Sequence, residues 1–332
     1  MSPSSQSPRI AVVIPCYRVS GQILGVITGI PEWISGIYVV DDACPEKTAT
    51  VVADRCRDPR VRLLRHAVNQ GVGGATCTGY AAALADGFEI VVKMDGDDQM
   101  DPSCLQRLVH PIIDGQADFA KGNRFYDLRA LRSMPLLRRI GNLGLTLLTK
   151  IASGFWHIAD PTNGYTAIHH SALRLLNLDR VSRRYFFESS MLINLNIIRA
   201  VAVDVPIPAR YGAEVSSLNI WRALFGFPPR LLRGFLQRLF WRYFIYDINA
   251  VSVLLVAGGV LAAGGTAFGA YRWLLGGIEG RSQSAGTVAL ALLPIILGFQ
   301  MLLQALLLDV VEKPLAPISK LLGSDARPGG SA

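Results

Sequence analysis

Two long stretches without any charged side chain, residues 249–270 and 284–308, constrain the fold of this 332-residue chain more than any other feature. As a helix, each stretch is long enough to cross a hydrocarbon layer of about 30 Å. The loop between them holds Arg272, Glu279 and Arg281. We therefore expect a two-helix transmembrane hairpin, although a buried helical hairpin of a soluble domain would show a similar pattern.

The charges that flank the hairpin predict its orientation. Five arginines lie within residues 221–246, interleaved with aromatic residues, and Lys313 and Lys320 follow the second stretch. Positive residues accumulate on the cytoplasmic side of membranes, and mixed aromatic and basic helices suit the headgroup layer. We expect a multi-pass protein of the inner (plasma) membrane, with its N-terminal domain in the cytoplasm.

The overall composition points to an anionic partner. Hydrophobic residues make up 51% of the chain and charged residues 17%, and the net charge is +8. Anionic lipid headgroups, nucleotide phosphates and nucleic acid could each explain a positive charge. We do not expect nucleic acid, because no zinc-finger spacing and no run of lysines and arginines is present. The five cysteines show no CxxC pair and are interpreted as reduced packing residues.

The first two thirds of the sequence alternate between apolar, β-branched runs and helical patterns. Acidic residues follow several of these runs, which is typical of a Rossmann-like α/β domain with a mostly parallel sheet and a ligand beyond its carboxyl edge. The predicted division of the chain is a tail (1–8), the α/β domain (9–220), amphipathic juxtamembrane helices (221–246), two transmembrane helices (247–310) and a cytosolic tail (311–332).

Four carboxylates follow a predicted buried strand whose apolar residues are Ile90, Val91, Val92 and Met94, and two of them, Asp95 and Asp97, are two residues apart. In extended geometry these two side chains project to the same side. Carboxylate oxygens suit Mg²⁺ or Mn²⁺, which would offset their mutual repulsion. The alternative is an acidic, solvated loop in which Asp101 caps a following helix at Pro102.

A glycine-rich stretch, residues 69–79, precedes this acidic segment. Gly71, Gly73 and Gly74 could surround a phosphate, but their spacing matches neither a Walker loop nor GxGxxG. We favour a tight turn and close helix packing near the ligand, with a helix beginning at Tyr80.

Six ordered motifs carry a resemblance to a known family. They are VVIPCY (12–17), VVDD (39–42), MDGDDQMDP (94–102), GNRFYD (122–127), DPTNGYTAI (160–168) and PARYGAEVSSL (208–218). Together they resemble family-2 glycosyltransferases of the GT-A fold, and most closely the polyprenyl-phosphate glycosyltransferases of the dolichyl-phosphate-mannose-synthase type.

The resemblance implies a role for each matching residue. The implied metal and pyrophosphate ligands are Asp95, Asp97 and Gln99. The implied donor contacts also include Pro15, Tyr17, Asp41 and Asp42. The implied acceptor side consists of Arg124, Asn163, Arg210 and Ser217. Glu188 lies where related enzymes place a catalytic acid residue, but it could equally be a carboxylate stabilised at a helix start.

The function implied by the resemblance is the inverting, metal-dependent transfer of a hexose from a nucleotide sugar to a membrane polyprenyl phosphate. Asp97, Arg124, Arg210 and Glu188 would carry the catalysis. Two alternatives stay open: transfer to a sugar hydroxyl with Glu188 as base, and a non-catalytic membrane scaffold. We also expect a homo-oligomer, because small residues within 257–270 could pack helices together.

Overall fold

A computed structural model describes residues 7–126, 136–208, 220–314 and 316–322. The predicted phosphate-binding Arg210 and its companion Ser217 lie outside these described residues. The chain divides into two compact units, one formed by Met1–Arg238 together with Pro314–Ala332, and the other by Leu239–Lys313.

The first unit contains a seven-stranded sheet in the order β3-β2-β1-β4-β6-β5-β7. The strands are β1 Ile10–Cys16, β2 Gly36–Asp41, β3 Val61–Arg65, β4 Ile90–Lys93, β5 Phe119–Asn123, β6 Thr166–His169 and β7 Ala202–Pro206. Strands β1 to β4 pair in parallel, as do β5 and β7, whereas β6 is antiparallel to both of its neighbours. The predicted α/β fold with a mostly parallel sheet is confirmed.

Helices cover both faces of the sheet. Within the described residues up to position 208, the α-helices are α1 Ile23–Gly29, α2 Thr48–Arg55, α3 Val72–Ala85, α4 Leu105–Ile113, α5 Leu136–Ser153, α6 His170–Leu175 and α7 Phe187–Ile197. Alternate residues of β1 enter opposite core layers: Val12 packs with α1 and α4, and Val13 packs with α3 and α7. This alternation follows from the two-residue period of a strand and gives the doubly wound arrangement.

Two details differ from the sequence prediction. The glycine-rich stretch is not a turn throughout, because α3 begins at Val72 rather than at Tyr80. Its glycines allow close packing, as predicted, since a β-carbon at Gly73 would lie only 2.2 Å from the carbonyl oxygen of Ser182. Strand β6 was not predicted, and it fills the gap between β4 and β5.

Further along the chain come α8 Ile220–Phe240, α9 Ala250–Glu279 and α10 Ala285–Val311. Helices α9 and α10 are long and apolar enough to cross a membrane, with mean hydropathies of 2.0 and 2.1. They pack on each other through glycine: a β-carbon at Gly258 would lie 2.9 Å from the carbonyl oxygen of Gly298. By contrast, a β-carbon added at Gly259 or at Gly264 would have no neighbouring atom within 4 Å. Only some of the small residues of α9 therefore allow close packing against α10.

The second helix extends beyond the predicted uncharged stretch and includes a buried acid, Asp309. The hydroxyl of Tyr243 donates to Asp309 Oδ1 at 2.6 Å, and Arg242 lies 4.0 Å from the same oxygen. Burial of this carboxylate is tolerated because it is paired.

After the hairpin the chain returns to the first unit as a short helix, α11 Ile318–Leu321. The backbone N–H groups of Ile318 and Ser319 donate to the buried carboxylate of Asp118 at 3.0 and 3.2 Å. Ile318 also packs into the core layer that contains α6 and α7. The last described helix therefore belongs to the core of the α/β unit.

Candidate active site

A cavity of about 340 Å³ opens beside the carboxyl end of β4. The loop after β4, the turn before β6 and the first turn of α7 form much of its wall. Among the predicted site residues, those that line it are Asp95, Asp97, Gln99, Arg124, Asn163 and Glu188. Residues that are separated by more than 90 positions in the sequence thus meet at one place.

Asp95 and Asp97 form the acidic wall of the cavity. Asp97 Oδ1 accepts the backbone N–H of Gln99 at 3.1 Å, which orders the loop after the strand. No group of three or more His, Cys, Asp or Glu side chains among the described residues is placed to hold a metal ion. Two carboxylates at a cavity fit Mg²⁺ or Mn²⁺ when a substrate diphosphate supplies further oxygen ligands.

Lys93 lies directly behind the acidic wall and was not identified from the sequence. It is the last residue of β4, and its side chain is 1% exposed. Its Nζ lies 2.8 Å from Asp95 Oδ1 and 3.3 Å from Glu188 Oε1. Burial alone would lower the pKa of Lys93, but Asp95 and Glu188 hold it above its usual value. The sequence feature that could have identified Lys93 is the presence of a lysine in an otherwise apolar strand.

Glu188 is in the first turn of α7, as one of the two sequence interpretations required. Its carboxylate faces the cavity and contacts the ammonium of Lys93. The side chain is therefore engaged in an ion pair, in addition to its favourable position at a helix N-terminus.

Arg124 follows β5 and lies on the cavity wall with a side chain that is 38% exposed. Its Nε donates to Asp160 Oδ2 at 2.8 Å and its terminal nitrogen to Asp160 Oδ1 at 3.2 Å. Asp160 is fully buried, so this forked pair fixes the plane of the guanidinium. A fixed, half-exposed guanidinium can bind a phosphate oxygen.

The side-chain amide of Asn163 hydrogen-bonds within the protein. It donates to the carbonyl of Gly122 at 2.7 Å and accepts the N–H of Tyr165 at 3.0 Å. Buried Lys121 donates to the backbone carbonyl of Asn163, and desolvation lowers the pKa of Lys121 to about 8. These contacts fix the turn before β6, and an acceptor contact by Asn163 stays a prediction.

Of the predicted donor residues, Asp95 and Gln99 line the cavity, whereas the other four lie at or near the ends of β1 and β2 and do not line it. Asp41 accepts the backbone N–H groups of Cys44 and Ala49 at 2.7 and 2.6 Å. Asp42 is likewise buried and accepts N–H groups at 2.8 and 2.7 Å from the segment that begins α3. Both carboxylates thus order neighbouring loops.

The other two donor residues differ in exposure. Pro15 is buried within β1, whereas Tyr17 is 44% exposed just after this strand. Nucleotide contacts by Pro15, Tyr17, Asp41 and Asp42 stay predictions.

The doubly wound sheet, with its acidic loop and cavity at the carboxyl edge, defines a GT-A glycosyltransferase domain. The chain belongs to glycosyl transferase family 2, whose family model matches residues 11–176. An uncharacterized protein of Methanocaldococcus jannaschii is 30% identical over 70% of this chain and 93% of its own length.

Two further relatives have assigned activities. The UDP-N-acetylglucosamine–dolichyl-phosphate N-acetylglucosaminyltransferase of Methanococcus voltae is 28% identical over 66% of this chain and 92% of its own length. The undecaprenyl-phosphate mannosyltransferase of Micrococcus luteus is 30% identical over 60% of this chain and 82% of its own length. Both names describe sugar transfer to a polyprenyl phosphate.

A solved structure shares the fold. Glucosyl-3-phosphoglycerate synthase of Mycobacterium tuberculosis, in complex with Mn²⁺, UDP and glucosyl-3-phosphoglycerate, aligns with a TM-score of 0.52 and 18% identity. The alignment covers 72% of this chain and 85% of that chain. The prediction that the chain is a glycosyltransferase with the GT-A fold is confirmed.

Proposed function

We propose that the protein transfers a hexose from a nucleotide sugar to a membrane polyprenyl phosphate, with inversion at the anomeric carbon. The observation that carries this proposal is the cavity in which Asp95 and Asp97 share a wall with the oriented guanidinium of Arg124. The polyprenyl-phosphate activities of two relatives support the choice of acceptor.

On the donor side, Asp95, Asp97 and Gln99 would hold Mg²⁺ or Mn²⁺ together with the donor diphosphate. The bound cation would stabilise negative charge on the departing nucleotide. The chain itself contributes carboxylates held in place by Lys93 and by the backbone N–H of Gln99. The predicted nucleoside contacts would complete the donor site.

On the acceptor side, a phosphate is already ionised near neutral pH and needs no strong general base. Arg124, fixed by Asp160, would bind the acceptor phosphate and align it for in-line attack. Arg210 and Ser217 are proposed to join it. Glu188 is engaged with Lys93, an arrangement that supports an ionised acceptor more than a hydroxyl that needs Glu188 as its base.

The site would lie close to a membrane, because the acceptor is a lipid and α9 and α10 are apolar enough to span one. We propose that the protein is a multi-pass protein of the inner membrane, with the catalytic domain in the cytoplasm, as the positive flanks favour. A homo-oligomer remains part of the proposal.

A donor screen tests the function. Purified protein, a polyprenyl phosphate and Mn²⁺ are incubated with a panel of UDP-, GDP- and dTDP-sugars, and the lipid product is identified by mass spectrometry. We expect one donor to yield a polyprenyl-phosphate sugar. Product formed only on a non-phosphorylated acceptor would instead favour the alternative with Glu188 as base.

Asp97→Ala should reduce this transfer by about 10²-fold or more, because a proposed ligand of the charge-stabilising cation is lost. The matched control is Asp98→Asn, since Asp98 is exposed and adopts φ 61°, a conformation that asparagine tolerates. Circular dichroism and gel filtration check that both variants fold. Full activity of Asp97→Ala with the metal chelated would contradict the metal role.

A further inference from the structure

Lys93 is a buried cation in contact with one carboxylate of the proposed metal site. Its Nζ lies between Asp95 and Glu188, at 2.8 and 3.3 Å from their nearest oxygens. An ammonium removed from water is costly unless it is paired. The rest of β4 is apolar, so an aliphatic residue at position 93 would suit the sheet better. The two carboxylates therefore explain the lysine.

The turn before β6 leaves room for this ion pair. A β-carbon at Gly164 would lie 2.5 Å from Lys93 Nζ and 2.8 Å from Asp95 Oδ2. Any other residue at this position would displace one of the two polar atoms. Two elements thus determine the contact between Lys93 and Asp95: β4 supplies the lysine, and the turn before β6 leaves space for the two polar groups.

The contact has a consequence for cation binding, because Asp95 is also a proposed metal ligand. An ammonium in contact with Asp95 already offsets its charge, and it repels a second cation nearby. The site therefore attracts a free divalent cation less strongly than the sequence DGDD suggests. A nucleotide diphosphate carries negative charges and oxygen ligands that would restore the attraction.

We propose that Lys93 is an internal counter-ion that weakens binding of the free cation, so that the cation binds chiefly together with the donor diphosphate. Lys93 is a positioning residue, since it holds Asp95 and Glu188 in place while the cation is absent. This inference rests on the proposed metal-dependent transfer and extends it to the order of binding.

Lys121 provides a matched control for the effect of burying a lysine. It is also 1% exposed and lies on β5, where it pairs across the sheet with Thr166, as Lys93 does from β4. Its ammonium donates to the backbone carbonyl of Asn163 instead of a metal-site carboxylate. Replacing Lys121 removes a buried charge but leaves the contact with Asp95 intact.

The test measures Mn²⁺ binding by electron paramagnetic resonance on the full-length protein in detergent, with Mn²⁺ alone and with Mn²⁺ plus UDP or GDP. Wild type should bind Mn²⁺ alone weakly and gain about tenfold or more with one nucleotide. Lys93→Met should bind Mn²⁺ alone at least about fivefold more tightly, because a positive charge at contact distance is gone. Lys93→Arg, which keeps the charge, and Lys121→Met should both stay close to wild type.

Glu188→Gln should change the affinity for Mn²⁺ alone in the direction opposite to Lys93→Met. When Glu188 is neutral, the charge of Lys93 acts on Asp95 alone, and binding of Mn²⁺ alone should weaken by about twofold to fivefold. Thermal unfolding adds a second readout: Lys93→Met should unfold at a lower temperature than wild type without Mn²⁺, and saturating Mn²⁺ should remove that difference. If Lys93→Met does not fold, Lys93→Gln, which also removes the charge but keeps a polar end, takes its place with the same expected gain.

Unchanged or weaker Mn²⁺ binding by folded Lys93→Met would overturn the inference, as would an equal gain in Lys121→Met or tighter binding by Glu188→Gln. Failure of the proposed function looks different, since wild type would then form no lipid-linked sugar with any donor. The inference alone fails when wild type is active and Lys93→Met binds Mn²⁺ as wild type does.

Discussion

At the scale of single residues, Lys121 links the stability of the α/β unit to pH. Desolvation lowers its pKa from 10.5 to about 8, against the opposing effect of Glu188 and Asp160. Between pH 8 and pH 10.5 the unfolded chain therefore binds more protons at this side chain than the folded chain does. Stability rises with pH in that window, because the burial penalty is complete below it and relieved above it.

We predict that wild type gains stability relative to Lys121→Met when the pH is raised from 8 towards 10.5. The gain is at most about 3 kcal/mol, at 1.36 kcal/mol for each unit of pKa difference. Thermal unfolding of both proteins at several pH values in this window measures it. Parallel pH curves for the two proteins would show that Lys121 does not carry the effect.

Much of the cavity wall could be predicted from the sequence, but the buried lysines behind it could not. Asp95 and Asp97 could be identified because an apolar strand that ends in acids places them at the carboxyl edge of a parallel sheet. Lys93 and Lys121 could not be assigned, because each also has a partner that is distant in the sequence: Glu188 of α7 for Lys93, and the carbonyl of Asn163 in the turn before β6 for Lys121. The hydrogen bonds from backbone N–H groups to Asp41 could not be predicted either, because every residue type except proline carries a backbone N–H.

At the scale of elements, the close approach of α3 to the start of α7 positions Glu188. A β-carbon at Gly73 would lie 2.2 Å from the backbone oxygen of Ser182 and 2.7 Å from the ring of Phe187. Phe187 and Glu188 are consecutive residues of α7, so a shift of the ring would also move the carboxylate.

Gly73→Ala should therefore lower the free energy of unfolding by about 1–3 kcal/mol, the usual cost of overpacking, and reduce transfer activity. Its control is Gly25→Ala in α1, where a β-carbon meets no atom within 4 Å. That change should stabilise the protein by about 0.5–1 kcal/mol through helix propensity. Thermal unfolding and the transfer assay compare the two variants, and equal behaviour would refute the packing argument.

Strand β6 could not be predicted from the sequence, and its length and surroundings explain why. It has only four residues, and they follow a polar turn rich in proline, asparagine and glycine. These residues become a strand because β4 and β5 both offer backbone partners on either side of them. Tertiary pairing overrides local preference in such short segments.

At the scale of the whole molecule, the chain enters and leaves the apolar hairpin from the same α/β unit. A reporter fused to the C-terminus should therefore lie in the same compartment as the N-terminal domain, which we propose to be the cytoplasm. Fusion of alkaline phosphatase or a fluorescent protein tests this in cells: the C-terminal fusion should fluoresce, and phosphatase should be active only in the loop between α9 and α10. Active phosphatase at the C-terminus would contradict the proposed orientation.

The hydrogen bonds between Asp118 and the backbone of α11 also bear on how the enzyme is made. A ribosome synthesises Ile318 only after both apolar helices, yet this residue fills a core whose other members were translated far earlier. A nascent chain therefore cannot finish its catalytic core before the hairpin has been synthesised. Biogenesis is thereby ordered in time, with the apolar helices translated first and maturation of the enzyme following.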